Sequence, residues 1–248
     1  MQDVIVQAFW KALGLIFSGN SEVYWTVYRS LYVSGLGTLL SCLWSIPIGT
    51  VLGLRSFRGK WLIKGIFTSL IGVPTVALGL LLYLLMSHLG EFGFLHLLYT
   101  LNGIVIGQSI LVTPIIVSFT GSALGAADVQ LRDLAKTLGA SGFRTNLALM
   151  RETVWSVVLA VSAAFNRAFG ELGVALMVGG SLLGETNVLT TSIALDYNLG
   201  DFSVAMAYAI ILMAIVLTIT LTINLVERLG QEERFWKKEW MLGRLARD

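Results

Sequence analysis

Cysteine, histidine and charge are all scarce in this chain, and each shortage excludes something. Cys42 is the single cysteine, so no intrachain disulfide forms and no CxxC metal or redox site exists. His88 and His96 are the only histidines; with no further His or Cys to complete a zinc site, they read as a pair at an interface. Charged residues make up 13% of the 248 residues against 56% apolar ones, and mean hydropathy is +0.79. Soluble domains are about a quarter charged, so this is the composition of an integral membrane protein. The formal charge of +2 gives no reason to expect nucleic acid. Nor is the chain its own nucleotide motor. Gly59-Lys60 is its one Gly-Lys pair, and a P-loop would need Gly where Leu54 stands and Ser or Thr where Trp61 stands. Gly-x-Ser-Gly with His, or paired Asp, as in intramembrane proteases, is absent from the apolar segments.

What is present is a series of apolar runs. Those over residues 29–54, 64–87, 101–122, 153–178 and 202–226 are each long enough to span, a span needing about 20 apolar residues. The connections between them sort by charge. Arg55, Arg58, Lys60 and Lys64 lie after the first run, and Arg132, Lys136, Arg144 and Arg151 after the third. Arg228, Arg234, Lys237, Lys238, Arg244 and Arg247 follow the fifth. The connections over 88–100 and 179–201 hold no Lys or Arg, the latter carrying Glu185, Asp196 and Asp201 instead. The positive-inside rule then predicts the N-terminus outside and the C-terminus in the cytoplasm. Residues 1–28 lack the basic start, apolar core and cleavage site of a signal peptide. Ile5, Phe9, Leu13, Ile16 and Phe17 recur at helical spacing, predicting an amphipathic helix in the outer interface or a tilted partial span. The segment 29–228 reads as the membrane domain, with a cytoplasmic loop over 123–150. The segment 229–248, with Phe235, Trp236 and Trp240 among basic residues, reads as an interfacial tail.

The loop 123–150 is polar and helix-forming. Asp128 can cap a helix whose stripe is Leu131, Leu134, Ala135 and Leu138. Gly139 falls where a left-handed C-terminal cap would sit, and Ser141 can cap a second helix. The first helix is about 11 residues, roughly 16 Å, too short to cross a bilayer. Asp133-Leu134-Ala135, with Leu138-Gly139-Ala140 two residues on, resembles the cytoplasmic-loop motif Glu-Ala-Ala-x-x-x-Gly of ABC-importer permeases. Here Asp133 replaces Glu, Leu134 replaces Ala, and Arg151-Glu152 stands near the family's usual Leu-Pro. The resemblance implies that this helix docks on a separate ATPase, with Asp128, Leu131, Arg132, Asp133, Leu134, Ala135, Lys136, Leu138, Gly139 and Ala140 as the coupling residues.

A second stretch narrows the family. Arg167-Ala168-Phe169-Gly170-Glu171-Leu172-Gly173-Val174 resembles the Arg-Ala-x-Gly-Glu-x-Gly-Ala pattern of oxyanion permeases, with Val174 in place of Ala. Met177-Val178-Gly179-Gly180, then Val188-Leu189-Thr190-Thr191 and Ile193-Ala194-Leu195, look most like the tungstate branch, though Ser181 stands where Asn is usual. The resemblance covers residues 28–227. It implies an all-α, MetI-like fold with five transmembrane helices, an N-terminal amphipathic helix and a cytoplasmic coupling helix. It implies a non-catalytic permease subunit, paired with a second copy of itself, two copies of an ATPase that bind ATP and Mg, and a soluble oxyanion-binding protein. No cofactor is expected on this chain. Tungstate is the expected cargo, with molybdate or sulfate as the alternative, and a gradient-driven secondary transporter as the alternative of another class.

Several residues stand out physically. Arg167 and Glu171 fall within the fourth run, four residues apart on one expected helix face, where charges are costly and are paired or functional. Either they form a simple ion pair, or Arg167 supplies positive potential to an anion pathway. Asn187, Thr190, Thr191 and Ser192 offer neutral donors outside, suited to an anion that must leave again or to helix capping. Pro74-Thr75 and Thr113-Pro114 fall inside the second and third runs, where proline frees a carbonyl and can kink a helix; Thr75 joins Arg167, Glu171, Asn187, Thr190 and Thr191 as a pathway candidate. Gly49-x-x-x-Gly53 and Gly103-x-x-x-Gly107 predict faces of close helix contact, within the bundle or between copies.

Overall fold

The computed structural model describes residues 2–18, 21–126, 142, 151 and 153–245. Among these the chain is helical, in chain order α1 (Gln2–Phe17), α2 (Ser21–Leu54), α3 (Lys60–Leu70), α4 (Thr75–Met86), a single 3₁₀ turn (Gly93–Leu95), α5 (Leu101–Ala126), α6 (Val154–Phe169), α7 (Gly173–Gly179), α8 (Leu189–Asn198) and α9 (Phe202–Leu245). The expected all-α membrane architecture is what is found. Helices α2 and α5, and α9 over Phe202–Leu225, are each long and apolar enough to cross a membrane unbroken.

The second and fourth spans are not single continuous helices. Each is a bent pair: α3 meets α4 at 95°, and α6 meets α7 at 56°. Pro74 ends the run before α4, as its missing N–H and its ring forbid an unbroken ladder. The chain tightens first into short bonds, Gly72 N to Ser69 O at 3.1 Å and Val73 N to Leu70 O at 3.3 Å. Pro114 also lies inside a helix, yet α5 runs through it, and α2 likewise runs through Pro47. Helix α2 begins at Ser21 rather than near Arg29. Its polar start is absorbed by back-bonding, Thr26 Oγ1 to Glu22 O at 2.9 Å and Ser30 Oγ to Thr26 O at 2.8 Å.

Helix α5 is the axis of the bundle and packs most extensively on α2. The seam is built of small residues. A Cβ on Gly49 would sit 2.8 Å from Thr120 Cβ, and one on Gly53 2.5 Å from Leu124 Cβ. Gly107 faces Val174, where a Cβ would come within 2.5 Å of Cγ1. Both glycine motifs therefore serve contacts within the chain, where small residues let backbones approach in the absence of a hydrophobic drive. Ser41 Oγ and Trp44 Nε1 meet Thr113 Oγ1 at 3.0 and 2.8 Å across the same seam. Helix α1 lies against α9, with Lys11 Nζ 3.6 Å from Asp201 Oδ1.

Candidate functional site

The two broken spans meet at their breaks. A Cβ on Gly173 would lie 2.8 Å from both Thr75 Oγ1 and Val76 N, and one on Gly79 would lie 2.9 Å from Gly173 O. Farther along, Leu82 and Met86 of α4 share a buried cluster with Val174 and Val178 of α7. Helices α4 and α7 thus start side by side and run parallel. Their N-terminal ends, each carrying a partial positive charge, point at one place.

Glu171 stands in the gap between α6 and α7 and is 2% exposed. Because α6 ends at Phe169, Arg167 and Glu171 do not share a helix face as expected; they pair across the break. Arg167 Nη1 donates to Glu171 Oε2 at 2.6 Å, and Val174 N donates to Oε1 at 3.2 Å. The carboxylate therefore caps α7 while it holds Arg167. The Glu171 carbonyl accepts from Thr190 Oγ1 at 2.7 Å, which fastens α8 to the same break. Gln108 Nε2 donates to Ala168 O at 3.1 Å, and Asn166 Nδ2 donates to Thr220 Oγ1 at 2.9 Å. The Ala168 and Glu171 carbonyls at the break thus find side-chain donors, as apolar surroundings require. The Arg167 side chain is 38% exposed.

The other polar candidates divide. Thr75, half-buried, is the first residue of α4 and joins Arg167 and Glu171 at the junction. Asn187 and Thr191 are buried a layer away, at the start of α8. Asn187 Oδ1 accepts from Gly184 N at 3.1 Å, and its Nδ2 reaches Ser192 Oγ at 3.3 Å and Thr26 Oγ1 at 3.4 Å. Thr191 Oγ1 accepts from Val188 N at 2.9 Å. Thr190, Thr191 and Asn187 are thus engaged in holding the break and capping α8. The coupling candidates Asp128, Leu131, Arg132, Asp133, Leu134, Ala135, Lys136, Leu138, Gly139 and Ala140 lie outside the described residues.

Gln108, Asn166 and Gly79, none of them a pathway candidate from the sequence, close the junction. Gln108 had a signal, being an amide inside an apolar run; Gly79 had none, since its role depends on a helix distant in sequence. Arg29, read as a span boundary, is 5% exposed, with Nε donating to Trp25 O at 3.1 Å. Outside the bundle, the His88 and His96 rings meet edge to face at 5.9 Å. No group of three or more His, Cys, Asp or Glu gathers among the described residues.

A helical bundle with two broken spans, their freed ends satisfied by buried side chains around one charged pair, is the architecture of a membrane transport component. Residues 45–230 match the family described as the binding-protein-dependent transport system inner membrane component, and the chain belongs to that family. It is 34% identical to the tungstate uptake system permease protein TupB of Peptoclostridium acidaminophilum, over 93% of this chain and 100% of that one. It is also 34% identical to a probable anion ABC transporter permease protein of Haloferax volcanii, over 76% of this chain and 83% of that one. The molybdenum transport system permease protein ModB of Escherichia coli is 27% identical over 83% and 94% of the two chains. Among solved structures, a chain of the inward-facing MetNI methionine ABC transporter superposes with a TM-score of 0.69 at 15% identity, over 86% of this chain and 98% of that one. That likeness is one of fold alone.

Proposed function

We propose that this chain is the permease subunit of an ABC importer for an oxyanion, tungstate before molybdate or sulfate. The observation that carries the reading is the 34% identity to a tungstate permease along that relative's whole length. Arg167 supports it physically. A half-exposed guanidinium at a break within a span needs water, a partner or an anion beside it. Glu171 neutralises and holds it, so that an anion passing the junction would be attracted without being trapped.

In this reading two copies of the chain enclose the pathway, and a soluble binding protein delivers the anion outside. Two ATPase subunits bind ATP and Mg and grip the segment 128–139 of each copy. Their closure rocks the spans between inward- and outward-open states. Helices α4 and α7, locked together through Gly79 and Gly173, move as one gate about the breaks at 71–74 and 170–172. The N-terminus lies outside and the C-terminus inside, which reporters fused at each end would test. The function is tested in proteoliposomes holding the permease, its ATPase and the binding protein. ATP-dependent uptake of tungstate, outcompeting molybdate and sulfate, is expected. Uptake driven by an ion gradient without ATP would replace this reading with that of a secondary transporter.

A further inference from the structure

Helix α3 buries none of its 11 residues and meets the rest of its chain through a narrow stripe. Lys60, Lys64 and Phe67 are half-buried, and the other α3 residues are exposed. Ile71, just past the helix, packs against the buried cluster that holds Ile115 and Ile116 of α5. The spacing 60, 64, 67, 71 is one helix face. Two of these inward positions are thus lysines, and turning an ammonium inward is unfavourable unless the charge finds a use.

Both ammonium groups reach one spot. Lys60 Nζ donates to Gly53 O at 3.2 Å, in the last turn of α2. Lys64 Nζ lies 3.4 Å from the place a Cβ on Gly125 would take, and Gly53 O lies 3.9 Å from that same place. Helices α2 and α5 touch here: a Cβ on Gly53 would lie 2.5 Å from Leu124 Cβ and 3.2 Å from Gly121 O. The carbonyls at the end of α2 carry partial negative charge, which favours a cation beside them. The two lysines therefore clasp the point where the last turns of α2 and α5 meet. Gly125 stands three residues before the segment 128–139. In the other direction, α3 leads through the 95° bend into α4, which Gly79 and Gly173 lock to α7.

We propose that Lys64, together with Lys60, is a positioning residue that ties α3 to the ends of α2 and α5. Through this tie, α3 and the gate of α4 and α7 follow the displacement of the coupling segment. The proposal rests on the reading of the chain as an ABC-importer permease. Phe67 and Ile71 give α3 little other hold, because the helix buries no side chain. Loss of one ammonium beside a helix C-terminus weakens the tie about two- to fivefold.

Two measurements on the complex of permease, ATPase and binding protein test this. In proteoliposomes, tungstate delivered per ATP hydrolysed should fall about two- to fivefold in Lys64→Met. It should fall further in Lys60→Met/Lys64→Met and recover in Lys64→Arg, with assembly and hydrolysis retained. The second measurement needs no cargo. Gly125→Cys, in a Cys42→Ser background, is joined to Lys64 by a short amine-to-thiol crosslinker, and the linked peptides are mapped. A Cβ at 125 meets Lys64 Nζ at an ordinary contact distance, so the substitution fits. Equal yields are expected without nucleotide and in the vanadate-trapped complex, because α3 and α5 move together. A yield that collapses in the trapped complex would overturn the proposal. So would unchanged delivery per ATP in Lys60→Met/Lys64→Met, or a Lys64→Arg variant as impaired as Lys64→Met. Absence of tungstate uptake by the unaltered protein would instead count against the importer reading, and the crosslink would then decide the tie.

Discussion

Removing Arg167 should do more damage than removing Arg167 and Glu171 together. Glu171 is 2% exposed, and its carboxylate has two donors, the Arg167 side chain through Nη1 at 2.6 Å and the Val174 backbone N–H at 3.2 Å. In Arg167→Met the carboxylate stays buried and keeps only the Val174 N–H. Breaking a fully buried pair costs about 3–5 kcal/mol. Arg167 is 38% exposed, so its end of the pair is screened, and a cost of about 2 kcal/mol is the better expectation. Arg167→Met/Glu171→Leu leaves no buried charge and loses mainly the cap on α7, about 1 kcal/mol. Glu171→Gln keeps an acceptor for Val174 N and should cost about 1 kcal/mol. Apparent melting temperatures of the detergent-solubilised complex should therefore rank Arg167→Met below the double variant. The same preparations, reconstituted, report tungstate uptake. The double variant is expected to assemble and fail to transport. A double variant less stable than Arg167→Met would refute the buried-charge reasoning. Normal uptake by the double variant would make the pair structural only and remove Arg167 from the pathway.

Three further outcomes follow from other sites. Gly173→Ala places a Cβ 2.8 Å from Val76 N and 2.9 Å from Thr75 C; this backbone cannot yield cheaply, so about 1–3 kcal/mol should be lost, whereas Gly72→Ala, whose nearest neighbour is Ser69 O at 3.5 Å, should melt like the unaltered protein. Asp196, on α8 outside the spans, has its carboxyl held above its ordinary value by burial first and then by Asp201 and Glu22, with Lys11 opposing. A raised value in the folded state means a stabilising contribution that is full below the ordinary carboxylate range and is lost as pH rises through the raised value; a melting series over pH should show this decline, and Asp196→Asn should flatten it. Gly139→Val, at the expected left-handed cap, costs about 1–2 kcal/mol locally and should leave the complex assembled with ATP hydrolysis no longer matched by uptake; equal hydrolysis and uptake ratios in the two proteins would remove Gly139 from the coupling.

The sequence by itself determined what depends on composition and on local chemistry. Its apolar runs give helices and membrane residence because a backbone in lipid must satisfy its own polar groups. The residues Arg167–Val174 and Leu189–Leu195 carry the family signature, and the residue-by-residue resemblance led to the family to which the chain belongs. Pro74 was visible as a breaking point. The tertiary structure alone decided which proline breaks a helix: α2 and α5 run through Pro47 and Pro114, while the span at Pro74 bends by 95°. It also decided that Glu171 leaves the helix to cap α7, and that Thr190 spends its hydroxyl on the Glu171 carbonyl rather than facing outward. A hydroxyl or a carboxylate near a helix end has several partners of similar energy within reach, and spacing along the chain does not choose among them. Gly79 shows the limit most plainly. Its neighbour in the fold, Gly173, is 94 residues away, and the lack of a side chain acquires meaning only when the second backbone arrives at 2.9 Å from the missing Cβ.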